Sequence, residues 1–235
     1  MNVVSAIGGS LVDQAVRRVR DHIRSNNLKP GDTLPGEGHF AADLGVSRAV
    51  MREAFGALAA LRQIDVANGR RARVAAIDGM VMSASLDHAV ATAQISVADV
   101  WDVRRTLELR TAELAARNRS GTEARLITDL AAAMIVDRND LAARTRHDIA
   151  FHQAIAQASG NALFLQIVRS FEALMLVAVP TAWRTRTDIE QQDLMLAHHQ
   201  SIASAIADRD PIAATAMMDA HFDESISDLF NQPRS

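Results

Sequence analysis

Apolar residues recur at intervals of three and four through most of this chain, the spacing of a single buried helix face. Leu11, Ala15, Val19 and Ile23 mark a first helix between Gly8 and Asn26, and Leu28-Lys29-Pro30-Gly31-Asp32 ends it in a turn. After the extended Leu34-Pro35 dipeptide, Phe40, Ala41 and Leu44 predict a short second helix, and Gly45 relaxes the backbone at its end. Ser47 can cap a third helix that carries Val50, Met51, Ala54 and Leu58 inward. Short strands are predicted only at Gln63-Ile64-Asp65-Val66 and Ala72-Arg73-Val74-Ala75, around a hairpin tip at Asn68-Gly69-Arg70-Arg71.

Beyond Ala76-Ile77-Asp78 the pattern is almost continuously helical, rich in Ala and Leu and poor in Gly and Pro. Helices are predicted over 79–92, 96–117, 121–138, 141–158, 161–178, 187–208 and 211–229. Arg119-Ser120-Gly121, Ser159-Gly160-Asn161, Pro180 and Asp210-Pro211 act as breaks between them. The chain is therefore read as mainly α, with a winged helix-turn-helix over 1–76, a connecting helix or linker over 77–95, and an antiparallel all-α bundle over 96–235.

The third helix opens with Arg48 and Arg52 four residues apart, so both occupy one exposed face near its N-terminus. That is where a recognition helix meets phosphates and base edges in the major groove. Ser47 belongs to the same surface, and Arg70, Arg71 and Arg73 on the hairpin can press against phosphates or enter the minor groove. A small helix pair with solvated arginines, and an ordinary basic loop, are the structural alternatives. Charge separates the two parts: residues 1–76 hold 11 Lys and Arg against 7 Asp and Glu, and residues 77–235 hold 14 against 21. The excess of positive charge lies on the part expected to touch double-stranded DNA.

At 235 residues and 49% hydrophobic, the chain can bury one large core or two modest ones, and two domains are expected. It has no cysteine, which excludes disulfides and thiolate catalysis, and no apolar run of membrane-spanning length. With no signal-like apolar core at its start, a cytoplasmic protein without membrane association is expected. No glycine-rich phosphate loop and no alternating strand–helix pattern support a nucleotide-binding catalytic fold.

Within the helical part, Asp148 and His152 stand i,i+4 on one face, while His199 and His221 lie on the last two helices. Three imidazoles and a carboxylate suit a borderline divalent ion such as zinc or nickel. Histidines that end helices or complete local hydrogen bonds produce the same pattern, so spacing alone leaves coordination open.

The stretch from Leu28 to Val74 resembles the winged helix-turn-helix of GntR-type bacterial transcription regulators, through Pro30-Gly31-Asp32, Leu34-Pro35-Gly36-Glu37, Leu44-Gly45-Val46-Ser47-Arg48 and Val50-Met51-Arg52-Glu53-Ala54. Gly38, His39-Phe40 and the wing's Asn68-Gly69-Arg70-Arg71-Ala72-Arg73 depart from the usual pattern. The remainder resembles the helical ligand-sensing domain of the FadR-type branch, often called FCD. The matching segments are Arg104-Arg105-Thr106-Leu107-Glu108, Asp148-Ile149-Ala150-Phe151-His152, Ser159-Gly160-Asn161 and the run from His199 to Ile206, followed by Asp210 and His221.

The resemblance implies a metal held by Asp148, His152, His199 and His221, with zinc first and nickel or manganese as alternatives. His147 and His198 each sit about 100° around the helix from a ligand and are expected to point elsewhere. The resemblance further implies a small carboxylate effector, with Arg104 as its contact or as the partner of Glu108, and Asn161 as a second contact or a helix cap. Its members imply a homodimer on a palindromic operator and no catalysis, a metabolite-responsive repressor being the expected form. A metal-dependent enzyme with a DNA-binding head, or a structural DNA-binding dimer, remains the alternative.

Overall fold

The computed structural model describes residues 9–186 and 188–230, with side chains as far as Ser225 at the C-terminal end. The chain divides into two compact units, Met1–Asp78 and Gly79–Ser235.

The first unit holds α1 (Leu11–Ser25), α2 (Glu37–Leu44), α3 (Arg48–Ala60), β1 (Ile64–Asp65) and β2 (Arg73–Val74). Ser10 and Asp13 form a reciprocal capping box that starts α1. Gly8, the expected start of this helix, lies outside the described residues. Gly45 ends α2 in the left-handed region, at φ 70°, where a side chain would be strained. The core joins Ala15 and Val19 of α1 to Phe40, Met51, Phe55 and Leu58, and closes beneath Leu34, Ile64 and Val74. Val50 is only half-buried and Phe55 takes the inward position, so the buried stripe of α3 is rotated slightly from the expected one.

The strands are shorter than predicted, because the entry to α2 supplies part of the pairing. β2 runs antiparallel to β1 with Ile64 opposite Val74. On its other side the Gly31 N–H donates to the Val74 carbonyl at 2.8 Å, and the Leu34 N–H donates to Ala72 at 2.8 Å.

The second unit is all helix: α4 (Met80–Ala91), α5 (Val97–Asn118), α6 (Gly121–Val136), α7 (Leu141–Ala158), α8 (Ala162–Ser170), α9 (Glu172–Thr185), α10 (Ile189–Ala207) and α11 (Pro211–Phe230). Capping boxes at Ser96/Asp99 and Ser120/Glu123 start α5 and α6. Short connections bring α7 back along α6 and α11 back along α10, while α5 packs on α7, α10 and α11. Alanines at 112, 115, 116 and 131 let the helices approach closely around Ile127, Phe151, Ile155, Ile202 and Phe222. Helix α4 packs on α8 and α9 within this unit. Thr187, the expected first residue of the tenth helix, lies outside the described residues.

One predicted helix is corrected. The segment expected as a single helix over 161–178 is two helices, α8 and α9, bent by 58°, and Phe171 at the bend is buried in the core. Pro180, expected to stop the chain, lies inside α9. The carbonyl it leaves without an amide partner belongs to Leu176, which is 51% exposed, so water can satisfy it. The neighbouring Thr181 hydroxyl donates to the Val177 carbonyl at 2.8 Å. No single helix among the described residues is long and apolar enough to cross a membrane.

Gly79 tests the packing of α4. A Cβ there would lie 2.6 Å from the Gln166 carbonyl oxygen and 2.9 Å from the Ser170 nitrogen, both backbone atoms that cannot swing away. Gly79→Ala should cost about 1–3 kcal/mol and lower the melting temperature of the helical unit by roughly 2–4 °C per kcal/mol. Calorimetry reads the change, and an unaltered melting temperature would contradict this packing.

Candidate metal centre and nucleic-acid interface

In the first unit, the Ser47 hydroxyl accepts from the Val50 N–H at 3.3 Å and starts α3. Arg48 and Arg52 are exposed on that helix. A Cβ at Gly38 would sit 3.6 Å from Arg48 Nε, so the departure at Gly38 coincides with the place where the Arg48 side chain crosses α2. Arg70 and Arg71 are exposed at the hairpin tip. Arg73 donates to the Gly31 carbonyl at 2.9 Å, tying the wing to the entry of α2.

The second unit buries a cluster of ionisable groups in its apolar core. His152 on α7, His199 on α10 and His221 on α11 each offer a ring nitrogen, and these atoms lie within 4.8 Å of one another. The closest pair of rings, His199 and His221, has centroids 4.6 Å apart. His199 Nδ1 lies 2.8 Å from the Met195 carbonyl. A carbonyl can only accept, so Nδ1 carries the proton and donates to it. That leaves His199 Nε2 to face Asp148 Oδ1 at 3.0 Å. In a neutral imidazole Nε2 would then present a lone pair to a carboxylate, an arrangement that only a proton or a metal ion between them makes favourable.

The surroundings favour the unprotonated forms of His221 and Asp148. Burial, followed by the charges of His199, His152 and Arg104, pushes the His221 pKa well below its ordinary value, so its ring is neutral and able to bind a cation. Burial opposes ionisation of Asp148, but its hydrogen bond to His199 and the nearby His152, His199 and Arg104 outweigh it and hold the pKa at about 2. Buried Nδ1 atoms on His152 and His221 have no hydrogen-bond partner. His152 Nδ1 does lie 2.5 Å from Glu108 Oε2, so that carboxylate stands directly against the ring. The three histidines are placed so that they could coordinate a metal ion.

Beside it, Arg104 Nε donates to Glu108 at 2.7 Å with both side chains buried, and its guanidinium stands 5.0 Å from the Trp101 ring centroid. Burial raises the Glu108 pKa, but Arg104 and then His152 overcome this and bring it to about 2. Arg104, Asp148, His152 and His221 line a small cavity closed by Trp101, Trp183 and Arg186. Its volume is about 30 Å³, room for an ion or a water molecule and too small for a metabolite unless the wall moves.

The structure thus brings together Asp148, His152, His199, His221 and Arg104. It sets Asn161 apart: this residue is exposed and accepts from the Leu163 N–H at 3.0 Å as the cap of α8. His147 pairs with Asp137 at 2.9 Å, and His198 is only half-buried outside the cavity. Sequence reasoning missed the contact of Glu108 with His152, and it missed Arg144, Trp183 and Arg186. Arg144 stands four residues before Asp148 on the same helix, a signal that was present. Arg186 follows Pro180 and had none.

Comparison with known proteins identifies the class to which this fold and site belong. Residues 11–74 match the model of bacterial regulatory proteins of the gntR family, and residues 99–224 match the FCD domain. The chain belongs to the GntR family of bacterial regulators, with an FCD domain as its second part. It is 32% identical to the Glc operon transcriptional activator of Escherichia coli (strain K12), over 80% of this chain and 76% of that protein. It is also 28% identical to the HTH-type transcriptional regulator LutR of Bacillus subtilis (strain 168), over 85% of this chain and 92% of LutR. Among solved structures, Streptococcus agalactiae GntR shares the fold with a TM-score of 0.63 at 24% identity, covering 90% of this chain and 97% of that one. The two sequence relatives are named as transcriptional regulators.

If the cluster is a metal site, wild-type protein saturated with zinc and then desalted should retain about one ion per chain, because three imidazoles and a carboxylate fill one tetrahedral set. His152→Ala and His199→Ala should each lose most of it, as measured by inductively coupled plasma mass spectrometry. Unchanged stoichiometry in both variants would rule out these ligands.

Proposed function

We propose that this protein is a cytoplasmic, metabolite-responsive repressor of the FadR-type branch that acts as a homodimer on a palindromic operator. Residues 1–76 form its DNA-binding part and 96–235 its effector-binding and dimerisation part, with 77–95 connecting them. Ser47, Arg48 and Arg52 read DNA from the third helix, and Arg70, Arg71 and Arg73 contact it from the wing. Asp148, His152, His199 and His221 hold a divalent metal ion, zinc by the preference of imidazole donors in a tetrahedral set. A small organic acid binds with its carboxylate toward the metal and Arg104.

The single observation that carries this reading is the buried histidine cluster beside an arginine-lined cavity, in a chain whose first part is a gntR-family helix-turn-helix. Such a site attracts an anion and has no need to turn it over. A ligand that prefers one arrangement of the sensor helices changes the population able to meet both half-sites. Relatives named as an activator and as repressors, NanR of Citrobacter rodentium among the latter, carry the opposite signs of control. Here the repressor reading means that ligand releases DNA.

Fluorescence anisotropy on a genomic-fragment pool that includes the protein's own upstream region, at fixed salt and with a panel of small carboxylates, tests this directly. Selective binding should weaken as an effective acid is added. Arg48→Ala should cost about 1–3 kcal/mol of operator affinity if Arg48 reads a base. Absence of sequence preference in the metal-loaded protein would overturn the regulatory reading, and tighter binding with ligand would overturn the repressor sign alone.

A further inference from the structure

The three histidines of the cluster differ in what stands behind each ring. His199 has its Nδ1 against the Met195 carbonyl at 2.8 Å, and His152 has its Nδ1 at 2.5 Å from Glu108 Oε2. His221 Nδ1 has no hydrogen-bond partner. Only His152 therefore has a carboxylate at its back.

Glu108 comes from α5, a helix that contributes none of the three histidines. It is 1% exposed, so its neighbours rather than water decide where its oxygens go. The two oxygens are divided: Oε1 accepts from Arg104 Nε at 2.7 Å, while Oε2 stands against His152. The Arg104 guanidinium is itself wedged between rings, 5.0 Å from the Trp101 centroid and 5.5 Å from that of Phe222, which fixes the grip on Oε1. Neither Glu108 Oε2 nor His152 Nδ1 has a hydrogen bond to any other group. A carboxylate oxygen and an imidazole lone pair repel at so short a distance, and a proton on Nδ1 turns that repulsion into attraction. With the proton there, the lone pair left to the ring is on Nε2. His199 is left with the same atom once its Nδ1–H is given to Met195.

We propose that Glu108 is a positioning residue for the metal: it accepts the Nδ1 proton of His152, so that this ring coordinates through Nε2, and its charge strengthens that nitrogen as a donor. A carboxylate behind a metal-bound imidazole sets both the rotation and the tautomer of the ring. Arg104 holds the carboxylate to this task through Oε1. The inference rests on the metal reading above and adds Glu108 behind the four ligands assigned there.

Two measurements on the full-length protein test the proposal together. Zinc affinity is read by competition with a chromogenic chelator, and ring tautomers are read by long-range proton–nitrogen correlation NMR at saturating zinc. Glu108→Gln keeps the shape of the side chain and removes its charge, and it should weaken zinc binding about 10–100-fold. In the wild type, His152 should show a proton on Nδ1 and zinc on Nε2. In Glu108→Gln that proton should exchange with water faster, while the Nδ1 proton of His199, held by a backbone carbonyl, keeps its protection; a general loosening of the bundle would expose both. Zinc on Nδ1 of His152, or an affinity unchanged by Glu108→Gln, would overturn the inference and leave the histidine site standing. The wild-type tautomer decides the matter even where the variant fails to fold. Wild-type protein that binds no zinc would count against the metal reading and this inference with it.

Discussion

His199 Nε2 and Asp148 Oδ1 face each other at 3.0 Å in the middle of an apolar helical bundle. The first helical turn back from His199 dictates this geometry, because its Nδ1–H is committed to the Met195 carbonyl. That pairing is favourable only with a proton or a metal ion between the two atoms, and His152 and His221 bring their ring nitrogens to the same point. The cost of burying these charges falls if they share one divalent ion, whose bonds replace the hydration that each group gave up.

The rest of the helical unit holds these groups in place. Helix α7 supplies both Asp148 and His152 from one face, α10 and α11 supply the other imidazoles, and α5 sets Glu108 against His152. Arg104 completes a buried pair with Glu108 and leaves its ring contact with Trp101 at the cavity wall. Loss of any one member would leave its partner charged and unpaired in the core, which costs more than the pair itself contributes. The cavity these groups line is walled on its other side by Trp183 and Arg186.

How much of this was legible in the sequence depended on the range of the interaction. Local devices were readable: Ser47 as a cap, Gly45 as a left-handed stop, and Asp148 with His152 one turn apart. The meeting of His199 and His221 with α7 depends on tertiary packing, and periodicity left it open until the family resemblance supplied it. Trp101, Arg104 and Glu108 are all buried. The pairing of Arg104 with Glu108 was one of two readings left open, and its burial was not legible because helix spacing does not report burial. Arg186 was out of reach for a definite reason: Pro180 reads as a stop, yet α9 runs through it to Thr185.

The account stands or falls on what lies between His152, His199 and His221. X-ray absorption spectroscopy at the zinc edge of the loaded, desalted protein reads that point without crystals. A first shell of nitrogen and oxygen at about 2.0–2.1 Å, with outer-shell scattering from three imidazoles, is the predicted spectrum. A shell of oxygen alone, or scattering from one imidazole or none, would contradict it and return His199 and Asp148 to a proton-bridged pair.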